Sequence, residues 1–291
     1  MSSFKSTELL KSKIQQQSWV KKVLLTVTLA LFIPVAAIFL ILLIKGSPAI
    51  SLNFIFAGPT NGMTEGGIFP AIVGTFWLIL LSLLFTCPLG ILAALYLTEY
   101  AKDSLFTRII NLAIINLAGV PSIVYSLFGL GAFVLFLKLG TSILSASLTL
   151  SVMNLPVIIT STREALLAVP KSFREACWNV GASKWQTLWY VVLPNSLPGI
   201  LTGVIFSVSR AAGETAAILF TGVAFYLPFL PESVFDQCMA LSMHLYTIST
   251  QVVGVPESYT FGTALVLIAL VLIVNTLSII VRSYYRSNRK W

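Results

Sequence analysis

The chain has 291 residues, of which 57% are hydrophobic and 10% charged, and its mean hydropathy is +0.94. Soluble domains carry roughly 25% charged residues, so an ordinary globule and a disordered chain are both excluded and a polytopic membrane protein is indicated. The formal charge is +8, from 18 Lys and Arg against 10 Asp and Glu, an excess that suits nucleic acid unless topology explains it.

In chain order, six apolar stretches are long enough to cross a hydrocarbon core of ~30 Å, which takes about 20 helical residues. They lie near Val23–Ile44, Ile68–Leu97, Ile109–Leu137, Gly140–Thr160, Ser196–Gly222 and Phe261–Val281. The polar tail before them, up to about Trp19, is expected to be mobile or surface-bound. The first stretch is too long for the apolar region of a signal peptide and no small-residue cleavage site comes after it, so it is expected to be retained. Pro88, Pro121 and Pro156 fall inside spans, where prolines are tolerated and mark kinks, and Pro121 with Gly119 is a candidate for one. Asn111, Asn116 and Asn154 offer hydrogen bonds between helices. Val234–Thr250 is a seventh apolar candidate, but it holds Asp236, Gln237 and His244 and would send the basic C-terminus outside. It is expected to lie at the outer surface as a helix, with His244 an interfacial polar residue.

Charge sets the direction. With the N-terminus in the cytoplasm, the inner segments carry Lys5, Lys11, Lys13, Lys21, Lys22, Lys102, Arg108, Arg163, Lys171, Arg174, Lys184, Arg282, Arg286, Arg289 and Lys290, and the outer ones only Lys45 and Lys138. That is the positive-inside pattern, and it accounts for the basic excess without nucleic acid. Arg210 is left inside a span. Cys87, Cys177 and Cys238 are far apart and without ligand spacing, so no disulfide framework or zinc site is signalled. His244 is the one histidine, which excludes the two-histidine motif of metal hydrolases.

The inner segment Ser161–Asn195 has internal order. Ser172 and Glu175 have the spacing of a capping box, and Phe173, Ala176, Cys177 and Val180 stand at i, i+3, i+4 and i+7 of one helix face. Gly181 stands where a left-handed C-cap is required. Ser183 and Gln186 form a second capping-box pair, Trp185, Leu188, Trp189 and Val192 a second apolar stripe, and Pro194 is expected to end it. The stripes suit either the span ends and headgroups or, for the short first helix, a groove on a soluble partner.

In the fifth span Arg210 and Glu214 are four apart, on one face of a helix, with Ser207 and Thr221 on or near that face. A charge at this depth must face protein or a water-filled cavity. Two readings stand: an ion pair joining helices or subunits, or an arginine that meets an anion in transit, its planar fork donating two parallel hydrogen bonds while Glu214 holds it between passages. Gly199, Gly203, Ser207 and Ala211 repeat every four residues, the spacing of close helix packing. Arg163 and Glu164, at the inner end of the fourth span, read as an interfacial pair.

Glu175-Ala176-Cys177, then Gly181, Val191 and Leu193-Pro194, match E-A-A, x3, G, x9, I, x, L-P and resemble the EAA loop of ABC importer permeases, with Cys177 for the third alanine and Val191 for isoleucine. The resemblance implies that Phe173, Arg174, Glu175, Ala176, Cys177, Val180 and Gly181 belong to a coupling helix docked on a cytoplasmic ATPase. Pro198–Gly203, Ser209–Ala216 and Leu219–Gly222, with Tyr96–Ala101 and Gly119–Tyr125, are similar to phosphate importer permeases of the PstA type; Ala217 departs from the proline frequent there. The fold this implies is an all-α integral membrane protein of six transmembrane helices with the type I ABC importer permease (MetI-like) architecture. Residues 1–22 form a cytoplasmic tail, 23–67 the first helix and an outer loop, 68–282 the permease body with coupling loop 161–195, and 283–291 a basic tail. Implied partners are a PstC-type second permease, two PstB-type ATPase subunits carrying ATP and Mg, a PstS-type external phosphate-binding protein and the lipid membrane, in a bacterial plasma membrane with both termini cytoplasmic. The substrate pathway is expected at Arg210, Glu214, Ser207 and Thr221. No cofactor, metal or catalytic residue is expected on this chain, which lacks the GxxxxGK[ST] pattern for ATP phosphates. Rival readings are a permease for sulfate or molybdate, which usually lacks the Gly-Glu-Thr run, a transporter working without ATP, and an intramembrane enzyme.

Overall fold

Inside hydrocarbon a backbone N–H or C=O finds no water, so apolar segments fold as helices that close their own hydrogen bonds. The computed structural model describes residues 8–287, with side chains for 13–284. Lys5, Arg289 and Lys290 of the inner charge count lie outside the described residues, as do the side chains of Lys11 and Arg286.

The chain runs through α1 (Glu8–Gly46), α2 (Leu52–Phe56), a two-stranded hairpin of β1 (Pro59–Thr60) and β2 (Glu65–Gly66), α3 (Phe69–Leu95), α4 (Leu105–Ala118), α5 (Ser122–Gly129) and α6 (Ile143–Leu167). Then come α7 (Lys171–Asn179), α8 (Lys184–Thr187), α9 (Leu193–Gly213), α10 (Leu241–Thr250) and α11 (Glu257–Ser287). Five helical runs among the described residues are long and apolar enough to cross a membrane: Lys13–Ala49, Phe69–Tyr100, Ile143–Leu167, Lys184–Gly213 and Glu257–Tyr284.

The third expected span is broken rather than straight. Leu105–Ala118 and Ser122–Phe136 meet at 107°. Pro121 has no N–H to donate and turns Val120 away from helical geometry. Tyr125 stabilises the corner, its hydroxyl donating at 2.6 Å to the Leu117 carbonyl, which also accepts the Val120 N–H at 3.1 Å.

Four other expectations are corrected. The tail is helical from Glu8 and continuous with α1. Pro194 does not stop the second loop helix. A π turn at Leu188–Val192 joins α8 to α9, and its wider turn accommodates the bond that Pro194 cannot make. The fifth span ends at Gly213, not Gly222, and Glu214 is extended (φ −75°, ψ 129°). The segment 234–250 is not among the membrane spans, as expected, but its helix α10 starts only at Leu241, residues 234–240 are not helical, and Leu241–His244, Thr247 and Ile248 are packed inside the protein while Tyr246 is exposed. His244 is 1% exposed and neither ring nitrogen has a hydrogen-bond partner among the described residues. Burial pushes its pKa down to about 4, so the imidazole is neutral at pH 7 and packs edge-on to Tyr259 at 6.3 Å.

The centre is α3, α6 and α9. The small-residue stripe packs as its spacing demands: a side chain at Gly199 would strike Ala165, and one at Gly203 would strike Ser161. Ser151 on α6 meets Thr86 on α3 at 2.7 Å between hydroxyls and donates to the Ser82 carbonyl at 2.9 Å. Such contacts favour helix association where lipid is as apolar as leucine. Asn111 accepts from Arg163 Nη1 at 2.7 Å and so ties α4 to α6. Asn154 is fully buried, with no hydrogen-bond partner for its amide among the described residues. Helix α1 packs along α11, its Leu24, Phe32 and Ile44 turned outward.

Candidate functional site

The loop after α6 is built by local chemistry. Ala168 caps α6, and Pro170 fixes the entry to α7. Because α7 opens at Lys171, Ser172 already lies inside its first turn, and the expected Ser172–Glu175 capping box does not form. The other end is as expected. Gly181 has φ +85°, its N–H donates to the Trp178 carbonyl and that of Ala182 to Cys177, both at 3.0 Å. These are the two bonds of a Schellman motif. The Ser183–Gln186 box is complete, with the Ser183 N–H on Gln186 Oε1 at 2.8 Å and the Gln186 N–H on Ser183 Oγ at 3.2 Å. Nothing lies within 4 Å of a Cβ built on Gly181, so Gly181→Ala adds backbone strain and no clash. It is expected to cost about 1–2 kcal/mol, read as a lower Tm of the detergent-solubilised protein.

Helix α7 divides the expected coupling stripe. Phe173 turns inward and packs on Leu95, Leu166, Val169, Leu188 and Val192, Arg174 is also turned inward, and Cys177 is half-buried. Glu175, Ala176, Trp178 and Val180 face outward, Val180 being 85% exposed. Beyond Gly181, Trp185 and Trp189 stack at 5.5 Å on the outer face of the next helix. Trp178 is absent from the residues the sequence singled out. Its position three after Glu175, on the face opposite Phe173, was the signal for it.

The four pathway candidates are not brought to one surface. Arg210 lies in the last turn of α9, partly buried. Glu214 is past the helix end, so the two are not successive turns of one face, and no Arg210–Glu214 ion pair is present among the described residues. Gly213, a poor helix former, is where α9 stops. The Glu214 carboxylate instead accepts the Ala217 N–H at 3.4 Å, and its carbonyl accepts from Ser242 Oγ at 2.8 Å. Ser207 is wholly buried, its hydroxyl without a partner among the described residues. Thr221 is wholly buried too, and its carbonyl accepts the Ser142 N–H at 3.0 Å. It braces the start of α6 rather than facing a channel.

Helices long and apolar enough to cross a membrane around an α3–α6–α9 core, with a two-helix loop between α6 and α9, define the architecture of a multi-pass membrane protein. The chain belongs to the family of binding-protein-dependent transport system inner membrane components, which it matches over residues 86–289. It is 32% identical to the probable ABC transporter permease protein YqgI of Bacillus subtilis, covering 82% of this chain and 85% of that protein. It is 36% identical to the phosphate transport system permease protein PstA of Mycobacterium leprae, covering 72% and 68%. In fold it is similar to a chain of a bacterial alginate ABC transporter, with TM-score 0.67, 14% identity and coverage of 93% and 96%. A second similar structure is that of the MetNI methionine ABC transporter, with TM-score 0.57, 18% identity and coverage of 75% and 94%. These likenesses support the MetI-like permease architecture.

Proposed function

We propose that this chain is the permease of an ATP-driven importer of inorganic phosphate, passing the anion by alternating access between two sides of a bacterial plasma membrane. The observation that carries the substrate is Arg210, a guanidinium at the end of a spanning helix with no carboxylate paired to it among the described residues, in a chain 36% identical to a PstA protein. A bidentate donor without a carboxylate suits an oxyanion that arrives and leaves. The partners in this reading are a PstC-type second permease, two PstB-type ATPase subunits holding ATP and Mg, and a PstS-type external phosphate-binding protein. Both termini lie in the cytoplasm, and the outward face of α7, with Glu175, Ala176, Trp178 and Val180, meets the ATPase.

Uptake of labelled anions tests this reading, in cells lacking their own high-affinity phosphate importer and given this chain with its neighbouring subunits. Phosphate uptake that stops on ATP depletion is expected, with sulfate and molybdate left outside. ATP-dependent entry of another oxyanion overturns the substrate and keeps the machinery. Uptake that survives ATP depletion overturns both.

A further inference from the structure

We propose that Arg174 and Glu99 form a strut that fixes the coupling helix α7 to the inner ends of α3 and α6, so that a displacement of α7 moves both spans with it. The proposal rests on the ATP-driven reading above and assigns Arg174 to positioning rather than to contact with the ATPase.

One guanidinium joins three elements. Arg174 Nη2 donates to Glu99 Oε1 at 2.8 Å and to the Leu166 carbonyl at 2.9 Å, and Nη1 donates to the Val169 carbonyl at 2.8 Å. Leu166 lies in the last turn of α6 and Val169 just past its end, where the helix dipole favours a cation, and the Leu166 carbonyl also accepts the Val169 N–H at 3.3 Å. Glu99 belongs to a π turn, Tyr96–Tyr100, that closes the α3 span. Turns of this kind mark functional positions in helices, and here it brings the carboxylate to the loop from 75 positions away in the chain.

The strut is sheltered. The Arg174 and Glu99 side chains are 11% and 21% exposed, against 48% and 78% for Lys45–Glu257 and 68% and 75% for Arg108–Asp103. Exposed pairs contribute little, whereas a sheltered pair is costly to break on one side. Phe173 anchors the adjoining position in the apolar cluster of Leu95, Leu166, Val169, Leu188 and Val192. Without the strut, Phe173 and two short connections, residues 168–170 and 180–183, are left to carry the movement of α7. Glu175, Trp178 and Val180 are exposed, and Trp178, one turn on from Arg174, lines the cleft beside it together with Glu99, so the docking face adjoins the groups that transmit its movement.

The test uses the whole complex in proteoliposomes with inorganic phosphate, measuring ATP hydrolysed per phosphate imported. The variants are Glu99→Gln, which keeps the shape and removes the charge, Arg174→Lys, which keeps the charge and removes the fork, and the double variant. Each single change is expected to raise the ratio about tenfold while the chain still copurifies with its ATPase. The double variant is expected to be no worse than the worse single, as for two members of one interaction. An unchanged ratio in Glu99→Gln overturns the strut, as does a double variant whose effect is the product of the singles. If Arg174→Lys fails to copurify, Glu99→Gln alone decides. The wild-type complex separates the two readings. No ATP-dependent uptake there overturns the importer and the strut with it, whereas normal uptake with unchanged ratios in the variants overturns the strut alone.

Discussion

Arg210→Ala is expected to lower ATP-dependent phosphate uptake by about a hundredfold while the complex still assembles. Hydrogen bonds to a charged group contribute about 1.5–3 kcal/mol each, and the fork offers an oxyanion two of them. Losing even the smaller sum, about 3 kcal/mol, is a change of at least a hundredfold. Assembly is expected to survive because Arg210 forms no ion pair among the described residues, so its loss leaves no buried carboxylate unpaired. Arg210→Lys is expected to fall between, since it keeps the charge without the planar fork. Glu214→Gln is expected to be milder, because its carboxylate makes a single long bond, to the Ala217 N–H at 3.4 Å. Uptake rates and the yield of copurified ATPase, measured side by side, check all three variants. Full uptake with Arg210→Ala sinks the anion reading of that residue.

Gly222→Ala is expected to have the largest effect on the fold. A Cβ at Gly222 overlaps the Ser142 carbonyl oxygen and crowds the backbone around it. Neither side is free to move. The Ser142 N–H is bound to the Thr221 carbonyl at 3.0 Å, the Cys238 N–H to the Gly222 carbonyl at 3.2 Å, and the Ala224 N–H to the Cys238 carbonyl at 2.8 Å. Ser142 is itself the cap of α6, accepting the Ser145 N–H at 3.2 Å. Overpacking of this kind costs about 1–3 kcal/mol, and here the obstacle is backbone rather than a side chain that rotates away. A fall in Tm of about 5 °C or more is expected in detergent, with less chain recovered from membranes. Gly213→Ala is the control. No atom lies within 4 Å of a Cβ there, the position is helical, and alanine is the better helix former by about 1 kcal/mol. Equal stability of Gly222→Ala and wild type would remove the bracing role of the Thr221–Gly222 turn.

What the sequence determined by itself is what local chemistry writes into short spacings. Apolar length gave the spans, because hydrocarbon leaves a backbone no other partner. The small-residue period placed Gly199 and Gly203 against a neighbour, and α6 supplies it. Gly181 and the Ser183–Gln186 box were legible because each cap is satisfied within six residues of chain. The two-helix loop was legible for the same reason except at its start, where α7 opens at Lys171 and the Ser172–Glu175 box does not form, and the family was legible from the long spacing of the Glu175 to Pro194 motif.

What only the tertiary structure decided is which distant groups meet. Arg174 is an outward coupling residue by its place in the motif, but Glu99, 75 positions away, turns it inward. Arg210 and Glu214 share a face only if the helix continues. It stops at Gly213, where Ser242 of α10 holds the Glu214 carbonyl. Thr221 reads as a polar lining residue, but it is buried and braces α6. His244 reads as interfacial because it is polar, yet the packing of α10 leaves it dry. Pro194 reads as a stop, and a π turn carries the helix through it. Each difference has one cause. Spacing fixes what a helix presents on each face, while the neighbour that meets the face, and the point where the helix gives way to it, are set by contacts between segments far apart in the chain.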